Sequence, residues 1–222
     1  MSVQRAPALG VRVSALLLAA GAASRMGHRP KGLLEMEGVA LVRRAVNALT
    51  ELGVCEVGVV LGHHAPAVQA RLLTSSARCL IHPRPQEGQI SSLRLGLRSV
   101  GADAQAVMVL LCDQPLVGVA QLRALIQAYE QRPMGTQIVQ PHVQGLPGNP
   151  VLMSQAVRQQ ILAAGPEYGC RQWQAAHPEQ VHAWPTTDRA YRIDVDTLED
   201  IDALAVSEGC RLRWPDEDRG LD

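Results

Sequence analysis

The sequence predicts an α/β fold: one domain with a mostly parallel central sheet and helices on both faces. Three observations predict it. Short apolar runs alternate with segments of helical period, the order that a parallel sheet built from crossover units requires. Two of those runs, 13–20 and 107–111, are apolar on both alternating faces, which marks central strands buried from above and below. A chain of 222 residues with 47% hydrophobic content also suits one large domain better than two small ones.

In chain order, a strand over 13–20 opens the domain and runs into a glycine-rich stretch that ends at Lys31. A helix over 41–52 precedes a strand over 56–61, a helix over 65–73 precedes a strand over 78–81, and a helix over 90–100 precedes a strand over 106–112. A helix over 119–131 then leads to a strand over 137–140. The Pro/Gly-rich stretch 144–150 is too short for a domain linker and reads as an ordered turn into Val151, Leu152 and Met153. A helix over 154–163, a strand over 192–195 and a helix over 198–206 complete the pattern. The domain therefore spans 1–206, with its core from about 13, and 207–222 form a C-terminal tail. That tail loses periodicity from Gly209 onward and is expected to be loosely held.

Composition removes several classes of function. Formal net charge is zero, but residues 1–112 carry twelve basic and six acidic side chains, against nine and fifteen in 113–222. A basic front half suits a small anionic ligand. Three Trp and three Tyr, mostly near the C-terminus, do not supply the interleaved aromatics of a single-strand nucleic-acid platform. Cys55, Cys79, Cys112, Cys170 and Cys210 form no C-x-x-C pair and match neither a zinc site nor a disulfide framework, so a reduced, cytoplasmic protein is expected. Arg5 and Arg12 before the apolar run imitate a signal peptide, yet the run is short and flows without a break into the glycine-rich loop. No stretch approaches the ~18 apolar residues of a membrane span.

The chemistry gathers where strands end, because ligands of open α/β sheets collect beyond the carboxyl ends of their strands. Lys31 is the single lysine among 21 basic residues. A compact ammonium kept where arginine is otherwise universal points to a chemical requirement for a point charge. It closes the run Leu18-Ala19-Ala20-Gly21-Ala22-Ala23-Ser24-Arg25-Met26-Gly27, whose small residues let a nucleotide approach backbone amides able to cradle phosphate oxygens. The run carries neither the Walker A Gly-Lys-Ser/Thr nor G-x-G-x-x-G, which argues against an NAD-dependent oxidoreductase of the dinucleotide-fingerprint type.

Asp113 follows an apolar strand, where an ionised carboxylate needs solvent, a partner or a metal; a turn or helix-capping role is the alternative. In a strand over 192–195, Asp194 and Asp196 share one face about 7 Å apart, a spacing that suits a hard cation. Asp196 also stands where it would cap the following helix, and the pattern leaves the choice between the two open. Ser91 and Ser92 open a helix and serve either as caps or as part of an anion site. His63-His64 reads as a loop pair, since no third ligand lies at a supporting spacing, and Cys112 reads as a buried strand-end thiol.

Together these segments resemble the MobA-like nucleotidyltransferases, in particular the molybdenum cofactor cytidylyltransferases. The run L-A-A-G-x-x-S-R-M-G-x-x-x-K looks like their signature loop. Gly88-Gln89-Ile90-Ser91-Ser92-Leu93 resembles their G-x-x-x-S turn, and Leu111-Cys112-Asp113-Gln114-Pro115 their strand-ending D-x-P. The segment 145–152 resembles the acceptor-side turn, with Asn149 where many relatives carry His, and 192–200 resembles the closing D-I-D-T-x-E-D. The resemblance covers about residues 13–206. It implies a Rossmann-like nucleotidyltransferase domain using Mg²⁺, with Arg25, Lys31 and Asp113 catalytic. Nucleotide binding would fall to Leu18, Ala19, Ala20, Gly21, Ser24, Arg25, Lys31, Gly88 and Ser92. Metal binding would fall to Asp113 with Asp194 or Asp196, and acceptor binding to Gly148, Asn149, Pro150 and Arg171, although Arg171 reads equally as a surface helix residue.

The implied reaction joins CMP from CTP to the terminal phosphate of molybdopterin and releases pyrophosphate, for a molybdoenzyme recipient. Ala20 before Gly21 favours CTP over GTP, because the guanylyl relatives tend toward Gly-Gly there. The competing expectations are a guanylyl- or other nucleotidyltransferase acting on a sugar, polyol or lactate phosphate, and a non-catalytic chaperone that carries the finished cofactor. No nucleic-acid or membrane partner is expected.

Overall fold

The computed structural model describes residues 10–215. β1 (Val13–Ala19) leads into the glycine-rich loop, which carries short 3-10 turns at Ser24–Met26 and Lys31–Leu33. Next come β2 (Glu35–Met36), β3 (Val39–Ala40), α1 (Leu41–Leu52), β4 (Glu56–Leu61), α2 (Ala65–Ala70), β5 (Arg78–Ile81), α3 (Gln89–Ser99) and β6 (Ala106–Leu111). The second half holds α4 (Val119–Glu130), β7 (Ile138–Val143), β8 (Leu146–Pro147), β9 (Val151–Ser154), α5 (Gln155–Ala163), α6 (Cys170–Ala176), β10 (Val181–Thr186), α7 (Leu198–Glu208) and β11 (Leu212–Arg213).

The main sheet runs β10-β7-β9-β6-β1-β4-β5, with β8 attached to β7. β6, β1, β4 and β5 are mutually parallel, β10 is parallel to β7, and β9 runs antiparallel to both its neighbours. After β5 the chain returns to the other side of β1 to lay down β6, so the strand order reverses between β1 and β6. A crevice opens at the carboxyl end of such a reversal. Val13, Ala15 and Leu17 of β1 enter one core with residues of α1 and α4, while Leu16 and Leu18 enter a second core with residues of α3 and α5. Burial on both faces is why this strand reads as an unbroken apolar run.

Arg94 of α3 is the one charged side chain sunk into this framework among the described residues. Its guanidinium donates to the carbonyls of Ile161, Leu162 (3.2 Å), Ala164 (3.1 Å) and Tyr168 (3.2 Å). Ile161, Leu162 and Ala164 lie in the last turn and at the cap of α5, where the helix leaves carbonyls without partners, and Tyr168 lies just before α6.

Several expectations need correction. The strands over 13–20 and 106–112 each end one residue early, which leaves Cys112 and Asp113 in the turn beyond β6, and the strand over 137–140 extends through Val143. Residues 192–195 are not a strand. Arg189–Tyr191 forms a 3-10 turn, and the segment beyond that turn is tied to the end of β6 by one backbone bond, Val195 N–H to the Asp113 carbonyl at 2.9 Å, rather than by a ladder. Residues 209–215 are not loose: β11 pairs with β2, placing Leu212 opposite Met36, and Leu212 and Trp214 are buried against Leu34 and Leu41 in a third small core. Arg5 and residues 216–222 lie outside the described residues.

Candidate active site

A cleft of about 560 Å³ opens at the carboxyl ends of β1, β4 and β6. Leu18, Ala19, Ala20, Gly21, Ser24, Arg25 and Lys31 of the first loop line it, with Gly88 and Ser92 from the start of α3 and with Asp113 and Asp196. The topology therefore brings together four segments scattered over more than 170 positions of sequence. It does not bring in Asp194, Gly148, Asn149, Pro150 or Arg171, none of which lines the cleft.

Lys31 begins a 3-10 turn after Pro30, over the buried Gly32. Its ammonium donates to Asp113 Oδ2 at 3.3 Å and closely to Asp196 Oδ1, and Arg25 donates to Asp196 Oδ2 at 2.6 Å. Asp196 is free for this because it does not cap α7. Thr197 is the cap, its hydroxyl accepting from the Asp200 amide, while the Asp200 carboxylate accepts from the amides of Asp196 and Thr197. Asp113 does not cap α4 either, because that position belongs to Gly118. Nor do Ser91 and Ser92 cap α3: Gly88 does, with φ at 91°, and Ser92 Oγ donates back to the Gly88 carbonyl.

The two carboxylates of this pair are not equivalent. Burial pushes the Asp113 carboxyl above its ordinary pKa, more than the neighbouring Lys31 charge pulls it down. Burial also opposes ionisation of Asp196, but the hydrogen bonds and charges of Lys31 and Arg25 outweigh it and hold that group below the usual range. Burial disfavours the Lys31 ammonium, yet Asp196 and Asp113 together keep its pKa above normal. Burial and the Asp113 charge push the Cys112 thiol up to about 12, so it carries no thiolate in the working range.

The donor set fits a hard divalent cation. Asp113 Oδ1 is buried with no hydrogen-bond partner, a costly state for a carboxylate oxygen unless a cation completes it. Asp196 supplies the second carboxylate. Two carboxylates plus substrate phosphates are the usual complement of Mg²⁺, which rarely occupies an all-protein cage, and no cluster of three or more candidate ligands occurs among the described residues.

The sequence matches the MobA-like NTP transferase domain over residues 15–181. The chain belongs to the MobA-like NTP transferase family. Over 192 residues it is 29% identical to the nicotine blue oxidoreductase of Paenarthrobacter nicotinovorans, covering 84% of this chain and 93% of that protein. It is 37% identical over 125 residues to the bifunctional protein GlmU of Heliobacterium modesticaldum, spanning 55% of this chain but only 27% of GlmU's length. Among solved structures, Rv0371c of Mycobacterium tuberculosis H37Rv superposes with a TM-score of 0.72 at 26% identity, covering 89% of this chain and 99% of that one. A manganese complex of the same mycobacterial protein gives 0.69 at 24% identity, covering 88% and 99%.

The fold of this family member explains the residues that lie outside the cleft. Gly148 packs so tightly on Tyr191 that a Cβ there would fall 2.5 Å from its carbonyl oxygen, and the Asn149 amide donates to that same oxygen at 2.9 Å. Gln114 Nε2 joins them at 3.2 Å. This knot fixes Tyr191, and with it the segment that delivers Asp196. Arg171 is exposed near the start of α6. Sequence reasoning read His63 only as one of a loop pair and gave Gln86 and Gln89 no role, yet all three line the cleft from the β4 and β5 side. For His63 the available signal was its position just past the carboxyl end of β4.

Proposed function

We propose that this protein is a Mg²⁺-dependent cytidylyltransferase that joins CMP from CTP to the terminal phosphate of molybdopterin. The observation that carries the reading is the Lys31 ammonium set between Asp113 and Asp196 at the end of a glycine-rich nucleotide loop. An oxygen of the acceptor phosphate attacks the α-phosphorus in line, the bond to the β-phosphate oxygen breaks, and pyrophosphate leaves with that electron pair. The chain's tasks are alignment and charge neutralisation, and no covalent enzyme intermediate is needed. Loop amides from Ala20 to Ser24, with Gly88 and Ser92, hold the nucleotide. Arg25 and Lys31 offset charge on the phosphates as it shifts toward the leaving group. Asp113 and Asp196 would hold Mg²⁺, which when bound supplies Lewis-acid stabilisation at the phosphate oxygens. Asp194, exposed and outside the cleft, is the weaker of the two late candidates. The acceptor would approach over β6, β9 and β7, and Asn149 and Arg171, outside the cleft, are the acceptor contacts that the family resemblance implies. The product would pass to a molybdoenzyme in the cytoplasm.

A guanylyl- or other nucleotidyltransferase on a sugar, polyol or lactate phosphate, and a cofactor-carrying chaperone, use the same cleft. A specific observation favours one further reading: the relative alike over most of both chains is named an oxidoreductase. Absence of the dinucleotide fingerprint therefore does not exclude redox chemistry in this family, and Lys31, Asp113 and Asp196 are what favour transfer here. The deciding experiment is pyrophosphate release with molybdopterin and CTP, GTP or ATP, with and without Mg²⁺, beside an assay for oxidation of NADH or NADPH. Release with CTP and Mg²⁺ supports the proposal. Release only with GTP or with another phosphorylated acceptor moves the substrate, binding without release selects the chaperone, and nicotinamide oxidation without release selects the oxidoreductase.

A further inference from the structure

The glycine-rich loop leaves β1 through a turn with a strained backbone. Ala23 adopts the left-handed region at φ 50°, ψ 39°, which is unfavourable for a residue bearing a Cβ. Such a backbone persists only where its surroundings over-determine it. An anion site built from loop amides adds a second demand, since any carbonyl oxygen turned toward the ligand would repel its phosphates.

Three carbonyls of this loop are tied to donors within the protein. Ala23 O accepts from the Met26 and His28 amides at 2.9 and 3.0 Å. Ala20 O lies 3.2 Å from His63 Nδ1, and Ala22 O lies 3.5 Å from His64 Nε2. A carbonyl oxygen only accepts, so each of these ring nitrogens carries the proton. Both histidines sit in the turn after β4, and that turn reaches the loop because residue 62 is glycine. A Cβ there would fall 2.4 Å from Ala20 O and 2.8 Å from both Ala20 Cβ and Pro85 Cβ.

We infer that Gly62-His63-His64 is a positioning device for the nucleotide loop, in which the two imidazoles hold the Ala20 and Ala22 carbonyls away from the bound phosphates. His63 and His64 act through the loop rather than on the reacting atoms. The inference rests on the reading that this loop binds a nucleoside triphosphate.

The test is CTP binding by calorimetry to the full chain, with turnover measured alongside. His63→Ala and His64→Ala should each weaken CTP binding roughly 2- to 10-fold, the range set by one net hydrogen bond, and should raise KM by more than they lower kcat. Amide hydrogen exchange at residues 20–27 should quicken in the free variants while exchange in β6 stays unchanged. The amide nitrogen of Asn sits near the place of a histidine Nδ1, and that of Gln near the place of Nε2. His63→Asn and His64→Gln should therefore restore binding, whereas the crossed pair His63→Gln and His64→Asn should not. Wild-type affinity in both alanine variants, or equal rescue by matched and crossed substitutions, overturns the inference. Wild-type protein that binds none of CTP, GTP, UTP or ATP overturns the nucleotide reading instead, while the exchange data still report whether the histidines hold the loop.

Discussion

Replacing Lys31 with alanine separates catalytic from structural electrostatics. The substitution removes one ammonium and with it a 3.3 Å bond to Asp113 and a closer one to Asp196. A buried charge-assisted hydrogen bond contributes about 1.5–3 kcal/mol. These side chains keep 16%, 20% and 29% of their surface exposed, so water takes over part of that interaction. The expected cost to folding is roughly 1–2 kcal/mol, a fall in Tm of about 2–4 °C per kcal/mol for a chain of this size. The rate should suffer far more, by about 10²- to 10³-fold, as when one donor to a developing charge is deleted. Pyrophosphate release measures the second effect and urea unfolding the first. Mg²⁺ should stabilise the variant more than the wild type, because a cation between Asp113 and Asp196 replaces the missing ammonium. Turnover within about threefold of wild type, with an unchanged Mg²⁺ titration, would refute the reasoning and remove Lys31 from the mechanism.

Asp113→Asn should abolish Mg²⁺-dependent turnover yet leave stability at neutral pH equal to wild type or above it, because it removes a carboxylate whose ionised form is disfavoured by burial; thermal melts beside turnover check both halves. Lys31 has a folded pKa above its ordinary value of 10.5, so its stabilisation is complete below 10.5 and is lost as pH rises through the folded value. Unfolding free energy of the wild type should therefore drop more steeply than that of Lys31→Ala in the alkaline limb, and parallel curves would contradict this. On the acid side, Asp196 contributes stability that is present above 3.8 and lost as pH falls through its lower folded value. Asp196→Asn should accordingly flatten the acid limb of an unfolding series. Trp214→Ala should cost roughly 3 kcal/mol in urea unfolding, since the ring is buried between the tail and the β2–β3 hairpin; a loss under about 1 kcal/mol would mean the tail is dispensable.

Much of the fold was legible because local pattern and tertiary burial agree in it. β4 and β5 fall where their apolar runs fall, and α1 begins and ends with its periodicity, closed by Gly53 at φ 83°. The errors come from segments whose state is decided by remote partners. Residues 192–195 alternate like a strand, but the fixed Tyr191 carbonyl and one bond to Asp113 hold them as an irregular arm. That arm turns Asp196 toward Lys31 and leaves Asp194 exposed, so the shared face read from the alternation does not exist. The two-residue strands β2, β3 and β11 carry no periodicity, and their small sheet pairs positions as far apart as 36 and 212. β10, with Pro185 within it and none of its residues fully buried, is an edge strand that lacks an apolar signature.

In the site, the places of Lys31 and Asp113 in the cleft were legible because each is anomalous in its setting, one a solitary lysine and the other an acid beyond an apolar strand. The His63 and His64 contacts were not legible, since a carbonyl partner leaves no mark on sequence. Gly62, required by a close approach between two loops, is in the same position.

Arg94 has a mechanical consequence. A single guanidinium bolts α3, whose first turn walls the cleft, to the end of α5 and the approach to α6. The helices α3 and α5, which share one core on the same face of the sheet, thereby form one jaw of the cleft. Any fitting of the cleft around its substrates falls to the opposite jaw, made of the glycine-rich loop and the arm that carries Asp196. In that jaw Met26 of the loop and Val195 of the arm share one buried core, and an exposed ion pair, Arg25 to Asp196, closes it at the rim.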